Sequence, residues 1–514
     1  MSIPISILRA AQVFPHNAAI RHAGRDIGWA EAADRIARLA GGLRGLGLRP
    51  GEALAILSAN VPENMEITYA AIWAGIVIVP LNTRLSAAEL DDILRRSGSR
   101  FLAYDRRNAA RAAQVGAPLA GLIALEPGEG QPGGTPWGRL LDGPAAPMHD
   151  ARPEDLLGVY YTGGTTGTPK GVELTHNAFH VSTLDIQIEV RFRPDDVYLH
   201  AAPFFHLADC GLGHALTYAG GTHCFLPEPA PGAILQSLGR DRLTALMAVP
   251  TSFHDLLNHI PEGTVLPEVR HVVYGAAAMS VPLLRRMMRV FPNGRFVQFY
   301  GQTELCGGCN VLRPEDHHPD NPRLATVGRA MASAQVRIAD AAGNEAPRGV
   351  AGEIQVKGYI QMRGYKDDPV RTADTFADGW LRTGDVGVMD EAGYVAIVDR
   401  IKDMIVSGGE NVFSGEVEAA LARHPAVAQC AVIGLPHPRW GEAVHAVVVA
   451  RGGDTPAPDD LVAHCRALIA AYKCPKSVSF AAALPLSAVG KVRKDLLRAE
   501  LLAAQRAPDP KDIR

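Results

Sequence analysis

Residues Tyr160 to Gly171 read YYTGGTTGTPKG, and eight of these twelve positions are Gly or Thr. The run follows an apolar, strand-like stretch and precedes the helix-like THNAFHVSTL. A backbone carrying Gly163, Gly164 and Gly167 can curl tightly and aim successive N–H groups at an anion. Thr162, Thr165, Thr166 and Thr168 add hydroxyl donors, and Lys170 adds a positive charge. The run therefore reads as a phosphate cradle. It is not a Walker A loop, because Lys170 stands between Pro169 and Gly171 instead of in a Gly-Lys-Ser/Thr triplet. The apolar strand signal before it weighs against a plain Gly/Thr surface loop.

On either side of this run, helical and short buried strand patterns alternate. Asp26 to Pro50 is helix-rich and leads into the apolar run Ala53 to Leu57. The alternation continues through AAIWAGIVIVPLN and FLAYD and returns at DRLTALMAVP and VRHVVYGAA, where short strands end in Pro or Gly. The expected fold is α/β with mainly parallel sheets. Between Ala117 and Arg152 the chain is rich in Gly, Pro and Ala and reads as a surface connection. After Ala334 the strands AQVRIAD, GEIQVKGY and YVAIVD, separated by Gly turns, predict a β-rich, antiparallel subdomain. Shorter α and β units follow Ile401. The pattern thus predicts a large N-terminal domain, residues 1–400, and a small mobile α+β C-terminal domain, residues 401–514. A hinge is expected at or near Lys402, within the charged and glycine-bearing DRIKDMIVSGGE from Asp399 to Glu410.

With 514 residues, a hydrophobic fraction of 47%, a charged fraction of 20% and a net charge of -3, the composition is that of an ordinary globular protein with no field suited to nucleic acid. The N-terminus has no basic run followed by an apolar stretch, and no apolar run is long enough to span a bilayer. Seven scattered cysteines fit a reducing compartment better than a disulfide framework, so the cytoplasm is expected. A homodimer is left open.

Over nearly its whole length the chain resembles the acyl-adenylate-forming superfamily, which includes acyl-CoA synthetases, peptide-synthetase adenylation domains and luciferases. In that family a loop like Tyr160–Gly171 grips the phosphates of ATP, with Ser usual where Gly163 stands here. By the same resemblance, Tyr300 of YGQTE packs on adenine with Gly301 beside it, Thr303 meets the α-phosphate, and Glu304 holds Mg2+, for which a carboxylate is a suitable hard ligand. Gly275, Ala276 and Ala277 of YGAAAM resemble the small-residue turn on which adenine lies. Asp385 of TGD and Arg400 of DRIKD are similar to the ribose-binding pair, an Asp being an acceptor for both ribose hydroxyls. Lys491, in LPLSAVGKVRKDLL, resembles the catalytic lysine that reaches the reacting carboxylate and the α-phosphate. A compact cation and a metal are needed there because two anions must meet. Thr166, Glu304, His206 and Lys491 are the residues this implies for catalysis.

SGGEN at Ser407 to Asn411 resembles the acyl-CoA synthetase form of the post-hinge loop, in which Gly408 and Gly409 leave a slot for the pantetheine arm of coenzyme A. Trp440 could pack on the coenzyme's nucleotide end, and Tyr472, Lys473 and Lys476 could meet its phosphates. Relatives often carry Arg where Cys474 sits. PFFHLADC, from Pro203 to Cys210, resembles the acyl-pocket segment, with His206 in the place where amino-acid-activating relatives have an Asp. Asp209 lies close enough in sequence to take over that role, but the simplest reading is an acid without an α-amino group. Phe205, Ala208, Gly211, Leu212, Phe253, Tyr274 and Gly307 are apolar or small and suit a fatty or aryl acid. Cys306 and Cys309, followed by His317 and His318, have the look of metal ligands, but no second Cys pair follows at zinc-ribbon spacing, and packing residues are expected. The rival readings are an adenylating enzyme with another acceptor and a non-catalytic nucleotide-binding relative. The co-occurrence of Glu304 and Lys491 argues against the second.

Overall fold

In the computed structural model the described residues are 3–126, 134–162, 169–226, 228–277, 279–407, 410–452, 455–486 and 492–506. Apolar runs such as ALAIL, VIVP and ALMA form parallel strands buried on both faces, which is why they read as continuous and not alternating. One sheet has nine strands. Its parallel centre is formed by Thr222–Phe225, Val197–His200, Ala245–Ala248, His271–Gly275 and Arg295–Tyr300. A second, eight-stranded sheet is centred on Ala53–Leu57, Val77–Pro80 and Ser99–Tyr104. Helices His176–Val190 and Leu207–Ala219 cover one face of the first sheet, packing Val190, Leu212 and Leu216 on Tyr198, Met247, Val273 and Val297. The α/β class with parallel sheets is as the sequence implies.

The chain divides into two compact units, residues 1–336 with 356–381, and residues 337–355 with Arg382 onward. This differs from a division at residue 400. The hairpin of Trp380–Met389 with Val395–Arg400 falls mainly in the second unit, pairing Asp385 with Arg400 and Met389 with Val395. The Asp399 carboxylate also accepts hydrogen bonds from the backbone N–H and hydroxyl of Ser414, at the start of helix Ser414–Leu421. The strand-rich pattern after Ala334 forms a five-stranded sheet, and the C-terminal sheet is ordered Glu410–Val412, Ile405–Ser407, Gly441–Ala450, Val427–His437, with Ser477–Phe480 parallel to Gly441–Ala450.

One strand was not anticipated from the sequence, and one local expectation needs correction. Lys170–Thr175 is a strand, paired antiparallel with Leu156–Thr162 so that Thr162 faces Lys170. The helix expected from Thr175 begins at His176, with the Thr175 hydroxyl as its cap. The region read as a bare surface connection carries the strands Gly121–Ala124 and Gly134–Pro136 and the short helix Trp137–Leu141, which bury Ile123, Trp137 and Leu140.

Gly275 closes its strand where an added Cβ would lie 2.6 Å from the Phe299 carbonyl oxygen of the neighbouring strand. The atom met is strand backbone, which cannot swing aside as a side chain would. Gly275→Ala should therefore destabilise the protein by about 1–3 kcal/mol, the usual effect of overpacking. Urea denaturation checks this, and an unchanged midpoint would contradict it.

Candidate active site

In an open parallel sheet, ligands collect beyond the carboxyl ends of the strands. Val197–His200, His271–Gly275 and Arg295–Tyr300 run parallel and end at one edge of the nine-stranded sheet. The segments that continue from them carry His206, Ala276 and Glu304 respectively, so that edge gathers three separated motifs. Ala276 holds φ at 64°, an uncommon conformation for a residue with a side chain. After Tyr300 the chain folds back on itself through Cys306 and Gly307, at φ values of 50° and 97°. Gly301 is needed in this turn, since a Cβ there would lie 2.7 Å from both the Gly307 oxygen and the Gly308 Cα. A Cβ on Gly307 would meet the Leu207 Cβ at 3.3 Å, which puts this turn against the residue that follows His206.

Glu304 lies on the short 3-10 turn Thr303–Leu305 and is 8% exposed. The Tyr365 hydroxyl donates to its Oε1 at 2.7 Å, and Met362 N donates to its backbone oxygen at 2.8 Å. Burial, and then the adjacent Glu304 carboxylate, raises the Tyr365 phenol above its ordinary value, so it stays a donor. The same ring carries the Lys170 ammonium, with Nζ 5.3 Å from the ring centroid. Tyr365 thus joins Lys170, at the end of the glycine- and threonine-rich run, to Glu304 of YGQTE. Sequence reasoning missed it. Its signal was the pairing of Gly364–Tyr365 with Glu173 and Val172, at the edge of the sheet that carries the phosphate run. Gly163, Gly164, Thr165, Thr166 and Gly167 lie outside the described residues.

On the acyl side, Phe205 is buried and its ring lies against that of His206, with centroids 4.4 Å apart. Gly211 faces Ile186, where a Cβ would sit 3.1 Å away, and lets two helices approach. Phe253 is wholly enclosed. Asp209 does not replace the family carboxylate. It is fully buried, accepting from the Tyr198 hydroxyl at 2.8 Å and bonded to His200 Nδ1 at 2.6 Å. Tyr274 is also enclosed, and its hydroxyl meets His317 Nε2 at 3.0 Å. The other ring nitrogen, Nδ1, lies 2.7 Å from the Arg313 carbonyl oxygen and must carry the proton. Nε2 is therefore the acceptor. Burial depresses His317 to about 4. Cys306 and Cys309 are buried cysteines outside any disulfide, and burial raises the Cys306 thiol above its ordinary value.

In the second unit Asp385 pairs with Arg400 at 3.1 Å across the hairpin. The preceding Thr383 hydroxyl donates to the Ile354 carbonyl at 2.7 Å, and Gly384 adopts φ 71°. Lys402 sits in the short turn Ile401–Asp403. Ser407 pairs with Glu410 across two antiparallel strands, and Gly408, Gly409 and Lys491 lie outside the described residues. Trp440 stacks on His437 with centroids 4.2 Å apart and is flanked by Arg439 and the Lys476 ammonium, each 5.8 Å from its ring. Lys473 is held by both oxygens of Glu416 at 2.7 Å. Cys474 is buried in the core of this unit, a packing position.

A family model described as AMP-binding enzyme matches residues 7–366, and one described as AMP-binding enzyme C-terminal domain matches residues 416–491. The chain belongs to the AMP-binding enzyme family. Among relatives of this AMP-binding enzyme, feruloyl-CoA synthase from an Amycolatopsis species is 37% identical, covering 96% of this chain and 97% of its own. A long-chain-fatty-acid–CoA ligase of Mycobacterium tuberculosis is 35% identical over 91% of each chain. The crystal structure of ATP-bound MatB from Rhodopseudomonas palustris superposes with a TM-score of 0.87 at 32% identity, covering 97% of this chain and 99% of that one. The acyl-adenylate-forming superfamily implied by the phosphate run is therefore the right one.

Burial makes one site contact of the enzyme pH-sensitive. The unfolded His317 imidazole takes a proton below about 6.5, and the folded one only near about 4. Between those values acid favours the unfolded chain, so stability present above about pH 6.5 is lost as pH falls toward 4. His317→Gln should flatten the fall in melting temperature between pH 7 and 5 relative to wild type. An equal fall in both proteins would contradict this.

Proposed function

We propose that the chain is an AMP-forming acyl-CoA synthetase acting on an apolar monocarboxylic acid, fatty or aryl. In the first half-reaction a carboxylate oxygen attacks the α-phosphorus of ATP, forming acyl-AMP and releasing pyrophosphate. In the second, the thiol of coenzyme A attacks the acyl carbon, losing its proton as AMP leaves. The single observation that carries this reading is the Lys170–Tyr365–Glu304 arrangement beside the phosphate run, in a chain that spans almost the full length of two acyl-CoA ligases. Glu304 suits Mg2+: it is a buried carboxylate whose Oε1 is oriented by Tyr365, while Oε2 has no partner among the described residues. When bound, the ion supplies neutralisation of the triphosphate charge. Tyr365 orients the carboxylate, Lys170 offsets phosphate charge, and Lys491 is assigned to the reacting oxygens by resemblance.

The commitment of Asp209 to His200 and Tyr198 supports an acid without an ammonium group, since no carboxylate in the segment is left to pair with one. The Trp440 platform, with His437 stacked and two cations around it, suits the adenine and phosphates of coenzyme A. Lys491 serves the first half-reaction and Gly408 with Gly409 the second, alternating about Lys402. Seven free cysteines fit a reducing cytoplasm.

Three measurements test this reading. Glu304→Gln should lower acid-dependent pyrophosphate release by about 10²-fold or more, the loss typical of a displaced electrostatic stabiliser, and near-normal release would remove Glu304 from the metal role. Across a panel of fatty, aryl and amino acids, apolar monocarboxylates should drive release best, and a preferred amino acid would overturn the substrate class. Given preformed acyl-AMP, Lys491→Ala should still form thioester while failing to make acyl-AMP, and Gly409→Leu should do the reverse. Equal damage to both steps in both variants would contradict the division of labour.

A further inference from the structure

Phe205 and His206 sit on an irregular connection between strand Val197–His200 and helix Leu207–Ala219. Such a stretch has few hydrogen bonds of its own, and ordering it on substrate binding would cost conformational entropy for every residue fixed. Here it is held beforehand. Asn60, 5% exposed, lies between strand Ala53–Leu57 of the other sheet and helix Pro62–Ala74. Its Nδ2 donates to the carbonyls of His200 at 2.7 Å and Ala202 at 2.6 Å, and its Oδ1 accepts from the backbone N–H of Phe204 at 2.8 Å. One amide thus uses both donors and its acceptor on the backbone leading to Phe205. Asn60 is backed in turn by its neighbours. The Asp105 carboxylate accepts from Ala59 N at 2.9 Å, and Asn64 Nδ2 donates to the Ala59 oxygen at 3.1 Å.

The ends of the connection are clasped separately by the His200–Asp209 bond. His200 continues through Nε2 to His223 at 3.0 Å, and His223 to the Thr217 hydroxyl at 3.0 Å, both fully buried. Room for the His200 ring depends on Gly213, where a Cβ would lie 2.9 Å from His200 Cε1. The arc is therefore pinned at both ends and along its back.

We infer that Asn60 is a positioning residue for the acid: it fixes residues 200–204 so that Phe205 and His206 meet the acyl group without reorganising. The inference rests on the reading of Phe205 and His206 as the acyl side of the site. Asparagine is required because the arc presents two acceptors and one donor, a combination that neither aspartate nor a hydroxyl can match.

The test compares full-length wild type with Asn60→Asp, Gly213→Ala and His206→Ala, using the best acid of the panel and measuring the KM for acid and for ATP separately. Asn60→Asp loses two buried hydrogen bonds and should raise the acid KM by about tenfold or more, with the KM for ATP within about twofold. Gly213→Ala, which improves helix propensity while displacing His200, should produce the same selective rise. It keeps the inference falsifiable if Asn60→Asp yields no folded protein. A purely structural role would lower the folded fraction and leave both KM values unchanged. If His206→Ala raises the acid KM while neither Asn60→Asp nor Gly213→Ala does, the positioning role is overturned and the pocket reading stands. If His206→Ala leaves the acid KM unchanged, the pocket reading fails and the inference fails with it.

Discussion

Joining a carboxylate oxygen to a phosphoryl group brings two anions into contact. At about 4 Å, two unit charges of like sign repel by about 4 kcal/mol for an effective dielectric of about 20, a barrier equivalent to about a thousandfold in rate. An enzyme for this reaction must place counter-charge before the anions arrive, and must keep it from being neutralised by its own side chains. In the proposed reading Glu304 and Lys170 answer both demands. Glu304 is buried beside a hydroxyl and not beside a guanidinium, so its negative charge remains available to a cation. Lys170 lies over the face of Tyr365, which steadies an ammonium without cancelling it.

The fold meets these demands by topology. Parallel strands deliver their continuations to one edge, so residues far apart in the chain share a site with little loop between them. Close backbone approaches do the rest. Gly275 against Phe299, and Gly301 against Gly307 and Gly308, leave no space for side chains where the strand ends must turn. Behind this edge Asp209, His200, His223 and Thr217 bond to one another in a buried chain, which holds the strand end that leads to Phe205 and His206.

Much of this was legible in the sequence because it was local. The phosphate run, the YGQTE turn and the TGD hairpin are contiguous stretches whose residue types state their chemistry, and the parallel sheets announce themselves as continuous apolar runs. What was not legible depended on pairing across the chain. Lys170–Thr175 has the period-two burial of Val172 and Leu174, but only its pairing with Leu156–Thr162 shows that it is a strand. The Gly- and Pro-rich stretch after Ala117 hid two strands at the end of the sheet because each is only three or four residues long. Tyr365 and Asn60 carry no local signal, since their partners lie 61 and 140 or more residues away. Asp209 was ambiguous for the same reason. Sequence distance put it near His206, while helix packing turned it toward His200. Cys474 was read against a surface arginine and proves to be core.

The central claim is that the acid is activated through its own oxygen on the α-phosphorus. An acid of the preferred class, labelled with oxygen-18 in its carboxylate, should be converted with MgATP and coenzyme A while the released AMP is examined by mass spectrometry. The account requires one labelled oxygen per AMP, carried over when the thiol displaces the acyl group, and unlabelled pyrophosphate. Unlabelled AMP, or label appearing in a phosphate released with ADP, would contradict it.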